Sequence, residues 1–263
     1  MKNENKLEAI FVPADNNPLL KKVLNIVNEN EEVRTLWEVA NVNATTRLGM
    51  SDHGSIHVQI VANSSLRLSR ILHKHDVTMS IEKSYGLSYD HAEVVVLLSS
   101  LLHDTGMSIH RKGHEEFSLI IANQLLSQVL DFLPTRERVI VSSEVLHSII
   151  AHRNDGKPLT YEAGVLRVSD ALDMTKGRSR VPYESENYSI YSLAETAIDN
   201  VEISEGIDKP IKVEISMNNS AGIFAVDELL KRKIIGSGLE EYISVRAYID
   251  RENEKKLLNE FTF

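Results

Sequence analysis

Apolar residues recur at spacings of three and four as far as Pro182 and at spacings of two beyond it, so the chain reads as a helical body followed by a mixed tail. Leu20, Val23, Leu24, Ile26, Val27, Val33, Leu36, Val39 and Val42 predict a helical N-terminal hairpin over 19–43, broken at the acidic stretch Glu29 to Glu32. Over 56–72 the series His57, Val61, Ser64, Leu68, Ile71 puts a histidine on the same side as an apolar stripe. The segment 90–104 is apolar nearly all round and predicts a central core helix, with Ser88 as N-cap and Gly106 as stop. A further helix opens at His114 after Gly113, with Phe117, Ile121 and Leu125 on the same side. Two more are predicted over 136–153, carrying His147 and His152, and over 160–174, capped by Thr160 and carrying Asp170.

The tail changes period. Short β-branched runs at 200–204, 210–218 and 241–250 alternate with the helix-like segments SLAETAID and VDELLKRKI. With a weaker strand at NYSIY the order reads βαββαβ, the split βαβ arrangement of ferredoxin-like domains. The expected architecture is therefore mainly α over 1–183, a helical bundle with an N-terminal extension, and a smaller α+β, ferredoxin-like domain over 184–263. NNSAG at 218–222 reads as a turn and not as a phosphate loop.

Composition narrows the partners. With 42% hydrophobic and 25% charged residues the chain resembles an ordinary globular protein. A net charge of -9 repels nucleic-acid polymers. The absence of cysteine removes thiolate ligands and nucleophiles, so any metal must be held by nitrogen and oxygen. No signal-peptide pattern and no membrane-length apolar run is seen, and a cytoplasmic location is expected.

Against this background six residues stand out: His57, His103, Asp104, His114, His152 and Asp170. They come from five separate segments, each on or near an apolar helix face. A carboxylate on a core face costs several kcal/mol unless it is paired or meets a cation, and a metal ion accounts for both aspartates. Mixed imidazole and carboxylate donors suit manganese, iron, cobalt, nickel or zinc better than calcium. Six donors exceed what one tetrahedral ion uses and point to one or two divalent ions, with Asp104 as the natural bridge.

The order H, HD, D, in the contexts HGSIHV, LSSLLHDTG, GHEEFSLIIANQLL, IIAHRNDGKPLT and AGVLRVSDALDM, resembles the HD-domain metal-dependent phosphohydrolases over roughly residues 40–180. The resemblance implies an all-helical HD domain. It implies that His57, His103, Asp104 and Asp170 hold one ion, magnesium being a further option, and that His114 and His152 complete a second site. Some dinuclear relatives have paired histidines where this chain has His152 followed by Arg153, which leaves His147 open as an alternative donor. His103 and Asp104 are the expected catalytic pair, next to the reacting water.

Arg153, Lys157, Lys176, Arg178 and Arg180 flank the last ligand and suit phosphate oxygens. His53, His110 and His147 are candidates for substrate contact or support of the ligands, whereas His73, His75 and His91 are read as core or surface residues. The expected activity is hydrolysis of a phosphomonoester or phosphodiester in a small phosphorylated substrate such as a nucleotide. The alternatives are a dinuclear iron oxygenase on the same scaffold and a nucleotide-binding regulatory module without turnover. A homo-oligomer formed through the C-terminal domain is also expected.

Overall fold

The structure, a computed structural model, describes residues 9–153, 155–175, 194 and 196–249 together with the backbone of 260–262. The acidic stretch near the N-terminus proves to be a helix junction. Asn30 closes α1 (Pro18–Glu29) and opens α2 (Glu31–Asn41), its Oδ1 accepting the Val33 N–H at 3.1 Å. Glu31 and Glu32 then fall in the first turn of α2, where the partial positive charge of the helix end favours them. The chain runs on through a π-helical turn, Val42–Arg47, and then α3 (Ser55–Lys74) and α4 (Ser80–Tyr85).

The helix apolar on all sides is α5 (Tyr89–Leu102), and it sits in the middle, packed against α1, α3, α7 (Thr135–Ala151) and α8 (Tyr161–Leu172). Each fully buried leucine there contributes roughly 1.5–3 kcal/mol, which explains why Leu97, Leu98, Leu101 and Leu102 can anchor a centre of polar groups beyond their end. The helix stops at Leu102, two residues earlier than expected, so His103 and Asp104 lie on the turn that follows it. Gly106 is not the stop residue itself but belongs to a 3-10 turn, Thr105–Ser108, that leads to α6 (His114–Val129). Ser88 occupies the N-cap position without capping, because its hydroxyl meets His91 Nδ1 at 2.9 Å.

Thr160 does cap α8, its Oγ1 accepting the Ala163 N–H at 3.2 Å. Thr160→Ala is expected to cost about 1 kcal/mol, the usual worth of such a cap. For a chain of this size that lowers Tm by roughly 2–4 °C in a thermal scan.

The tail is α+β. Strands β1 (Ile198–Glu205), β2 (Ile211–Met217), β3 (Ile243–Ile249) and β4 (Glu260–Thr262) form a sheet in the order β1-β2-β3-β4 among the described residues. The expected helix SLAETAID gives up Ile198 and Asp199 to β1, and NYSIY lies outside the described residues. The segment VDELLKRKI is helical, part of a continuous helix over 222–234, here α9.

A split βαβ unit requires a third strand between the two that flank its helix. Here β2 and β3, joined through α9, pair directly and in parallel, from Ile211 with Ile243 to Met217 with Ile249. The ferredoxin-like arrangement therefore gives way to an unsplit βαβ unit with an antiparallel partner on each side. The core runs without interruption from the helices into the sheet, and α9 lies against α8. No helix among the described residues is long and apolar enough to cross a membrane.

Candidate metal centre

Five elements bring the polar residues together. His57 comes from the first turn of α3, His103 and Asp104 from just beyond α5, His114 from the start of α6, His152 from the end of α7, and Asp170 from the last turn of α8. Asp52 fixes the start of α3 by accepting the N–H groups of Gly54 and His57 on Oδ1 at 3.1 and 3.2 Å. Ser118 Oγ, on α6, donates to the His103 carbonyl at 2.6 Å and accepts the Gly106 N–H at 2.8 Å, tying the doublet to the helix that carries His114.

The histidines share one orientation. His103 Nδ1 lies 2.9 Å from the Ser100 carbonyl and His152 Nδ1 lies 2.5 Å from that of Ile149. His53 Nδ1 lies 2.7 Å from the Ser51 carbonyl, and His57 Nδ1 lies 2.6 Å from Asp173 Oδ2. Carbonyls and carboxylates accept, so each Nδ1 carries a proton and each Nε2 is the nitrogen left to meet a cation or a further proton. His114 Nδ1 faces the Arg111 carbonyl at 3.0 Å and Glu115 Oε2 at 3.2 Å, and the Arg111 guanidinium also lies 3.0 Å away. Two acceptors, one of them charged, outweigh that donor and keep the proton on Nδ1.

These Nε2 atoms converge on one another and on carboxylates. His57 and His103 approach to 3.2 Å through Nε2, and Asp104 Oδ2 lies 3.4 and 3.3 Å from them. Asp170 Oδ1 completes the group at 3.6 and 3.8 Å. On its other side Asp104 presents Oδ1 to His114 Nε2 at 3.1 Å. Donors about 2.1 Å from one ion lie about 3.0–3.4 Å apart at octahedral or tetrahedral angles, so the spacing suits a first-row divalent cation. Three overlapping triads have donor atoms within 4.8 Å of one another: His57 with His103 and Asp170, His103 with Asp104 and His152, and His114 with Glu115 and His152.

Without such a cation the cluster retains a proton. Burial works against a charged His103, but Asp104 and Asp170 outweigh it and push its pKa up to about 10. Burial likewise opposes ionisation of the two aspartates, yet His103 and, for Asp170, Lys233 hold both well below the usual carboxylate range. His152 goes the other way, down to about 3, through burial and then the charges of His103 and Lys233. A pocket of converging acceptors takes up positive charge, and a proton is the least it can hold.

The family model described as HD domain matches residues 50–175, the stretch that supplies all of these donors. This chain belongs to the HD-domain superfamily. Over 243 residues it is 39% identical to an uncharacterized protein of Methanocaldococcus jannaschii, covering 92% of this chain and 93% of that one. The likeness therefore extends well past the HD domain itself. No solved structure matches the chain. HD-domain proteins are in general metal-dependent phosphohydrolases, and the His/Asp cluster suits that chemistry.

Of the other histidines read from the sequence, His53 reaches the edge of the HD centre, with Nε2 4.0 Å from Asp104 Oδ2. His147 does not join it: its Nε2 accepts the Leu159 N–H at 2.9 Å and holds the loop after α7, so His152 is the residue of that helix brought to the centre. His110 is exposed, and its Nδ1 accepts the Lys112 N–H at 3.0 Å within its own loop. Arg153 directs its guanidinium to Glu116 and Asp155 at 2.6 and 2.8 Å, and Lys157 faces solvent. Lys176, Arg178 and Arg180 lie outside the described residues. His73 stacks on Tyr89, His75 meets Glu205 and His91 meets Glu137, all outside the centre.

Sequence reasoning missed four residues. Asp173, one helical turn after Asp170, could have been found from that spacing. Glu115 follows His114 directly and Arg111 precedes it by three residues, but neither lies on an apolar stripe. Lys233 arrives from the tail, where no local pattern marks it.

Proposed function

We propose that this HD-domain protein is a metal-dependent phosphohydrolase acting on a small phosphorylated molecule, a nucleotide or a phosphorylated metabolite. The observation that carries the proposal is the convergence of the Nε2 atoms of His57 and His103 with carboxylate oxygens of Asp104 and Asp170, each imidazole proton being held on Nδ1 by its own acceptor. His57, His103, Asp104 and Asp170 would hold a first divalent ion, and His114, His152 and the second oxygen of Asp104 would hold another.

When bound, such an ion supplies Lewis acidity and acidifies water at neutral pH. The chain's residues do the rest. Asp173 fixes the His57 ring through a carboxylate-to-imidazole hydrogen bond, the kind of support that costs roughly 10–100-fold in metal affinity when removed. Asp104 presents Oδ2 to His57 and His103 and Oδ1 to His114, and would serve both ions. Arg111, exposed beside His114, offers a guanidinium to phosphate oxygens at the rim.

Metal analysis of purified protein, coupled to a screen against nucleoside mono-, di- and triphosphates, cyclic nucleotides and a chromogenic phosphodiester, tests the reading. Phosphate release that chelation abolishes and divalent ions restore is the expected result. Iron-dependent oxygen consumption would instead identify an oxygenase. Protein fully loaded with metal and inert on every ester would identify a regulatory module.

A further inference from the structure

Asp170 divides its carboxylate between two neighbours. Oδ1 faces the Nε2 atoms of His57 and His103, while Oδ2 lies 3.4 Å from Lys233 Nζ, which also donates to the His152 carbonyl. Lys233 belongs to α9, outside the stretch matched by the HD family model, and its side chain is only 11% exposed. A buried ammonium is costly unless compensated, so the two acceptors account for its position.

The position is also built from the other side. Arg167, one turn before Asp170 on α8, donates Nε to the Lys233 carbonyl at 3.0 Å and Nη2 to that of Arg232 at 3.3 Å. Its Nη1 reaches the carbonyls of Arg153 and Gly156, just past α7, at 2.5 and 2.8 Å. Gly164 lets the backbones touch: a Cβ there would lie 2.2 Å from the Ser237 carbonyl oxygen. The tail is thus held against α8 by a buried clamp that delivers one cation to the edge of the centre.

That cation changes the charge that a substrate meets. The aspartates at positions 104, 170 and 173 bring three negative charges, and Glu115 and Arg111, both beside His114, offset each other. With the first divalent ion alone such a centre stays net negative, a poor receptor for a phosphate dianion. The ammonium of Lys233 offsets one of these charges, and Asp52, whose Oδ1 accepts the His57 N–H at 3.2 Å, adds a further negative one.

We propose that Lys233 is the anion-selectivity residue of the centre: the C-terminal unit supplies a buried ammonium that weakens the hold on the divalent ion and strengthens the hold on a phosphate group. The proposal rests on the metal-centre reading. Its two effects carry opposite signs, because a fixed positive charge repels a cation and attracts an anion across the same few ångströms.

The test is Lys233→Met, which keeps length and loses charge, beside Lys233→Arg, which keeps charge. Manganese binding by calorimetry is expected to tighten in the methionine variant by roughly threefold or more, and inorganic phosphate binding to manganese-loaded protein to weaken roughly tenfold. The arginine variant should stay near wild type in both. A folding defect cannot tighten metal binding, so the opposed signs separate charge tuning from structural damage. Weaker manganese binding in the methionine variant, or unchanged phosphate binding, overturns the proposal. Wild-type protein that takes up no metal would overturn the metal-centre reading instead.

Discussion

Replacing Asp104 with asparagine is expected to abolish metal-dependent hydrolysis while leaving the chain folded. Asp104 is the residue whose two oxygens reach both halves of the cluster, Oδ2 toward His57 and His103 and Oδ1 toward His114. The amide keeps the shape but puts an NH2 where one carboxylate oxygen faced an imidazole nitrogen, and it removes one of the two negative charges that would hold the ion directly. Loss of such a ligand exceeds the roughly 10–100-fold in affinity that supporting residues contribute. The rate should fall on the order of a thousandfold, the scale reached when one preorganised electrostatic contact is removed.

A second readout separates lost chemistry from lost metal. A ligand present at about 100 times its Kd stabilises the native state by about 2.7 kcal/mol. Added manganese should therefore raise the Tm of the wild-type chain by about 5–10 °C. That rise should disappear in Asp104→Asn, with the metal-free Tm little changed. Hydrolysis retained in metal-free Asp104→Asn protein would eliminate the mechanism.

Much of this centre is legible because it contradicts its surroundings. His57 on an apolar stripe, His103 and Asp104 at the end of a helix with no polar face, and Asp170 among Val165, Leu166 and Val168 each break a local hydrophobic pattern. Such breaks can be read one segment at a time. Lys233 cannot, because its partners lie on α7 and α8, and only the docking of the tail brings them together. Arg153 shows the reverse case: its neighbours in sequence suggest a phosphate ligand, and the fold pairs its guanidinium with Glu116, far away on α6.

The same division holds for the tail. Alternation identifies the strands at 210–218 and 241–250, yet whether a third strand separates them depends on contacts that no local period encodes. The boundary of α5 was displaced for a different reason. Continuous apolarity gives no phase from which to read an end, and the helix stops where the turn carrying His103 and Asp104 must bend toward α6.

That turn makes Gly106→Ala the most disruptive small substitution near the site. A Cβ on Gly106 would lie 2.0 Å from the His114 carbonyl oxygen and 2.5 Å from the Ser118 nitrogen. Both are backbone atoms of α6, so no side chain can swing aside, and the start of the helix must retreat by more than an ångström to restore ordinary contact. Overpacking of this kind costs typically 1–3 kcal/mol and more where backbone must shift. A cost of about 3 kcal/mol corresponds to a fall in Tm of roughly 6–12 °C.

The retreat also carries His114 away from Asp104 Oδ1 and strains the Ser118 hydroxyl that bridges the His103 carbonyl and the Gly106 N–H. Metal bound per chain should fall, the lost share being the part that His114 would hold. Ser118→Ala offers a milder comparison, removing the bridge without adding bulk. Calorimetric scans and metal stoichiometry on the two variants decide the point: a Gly106→Ala protein with wild-type Tm and full metal content would show that α6 is not held against the HD turn as the backbone contacts require.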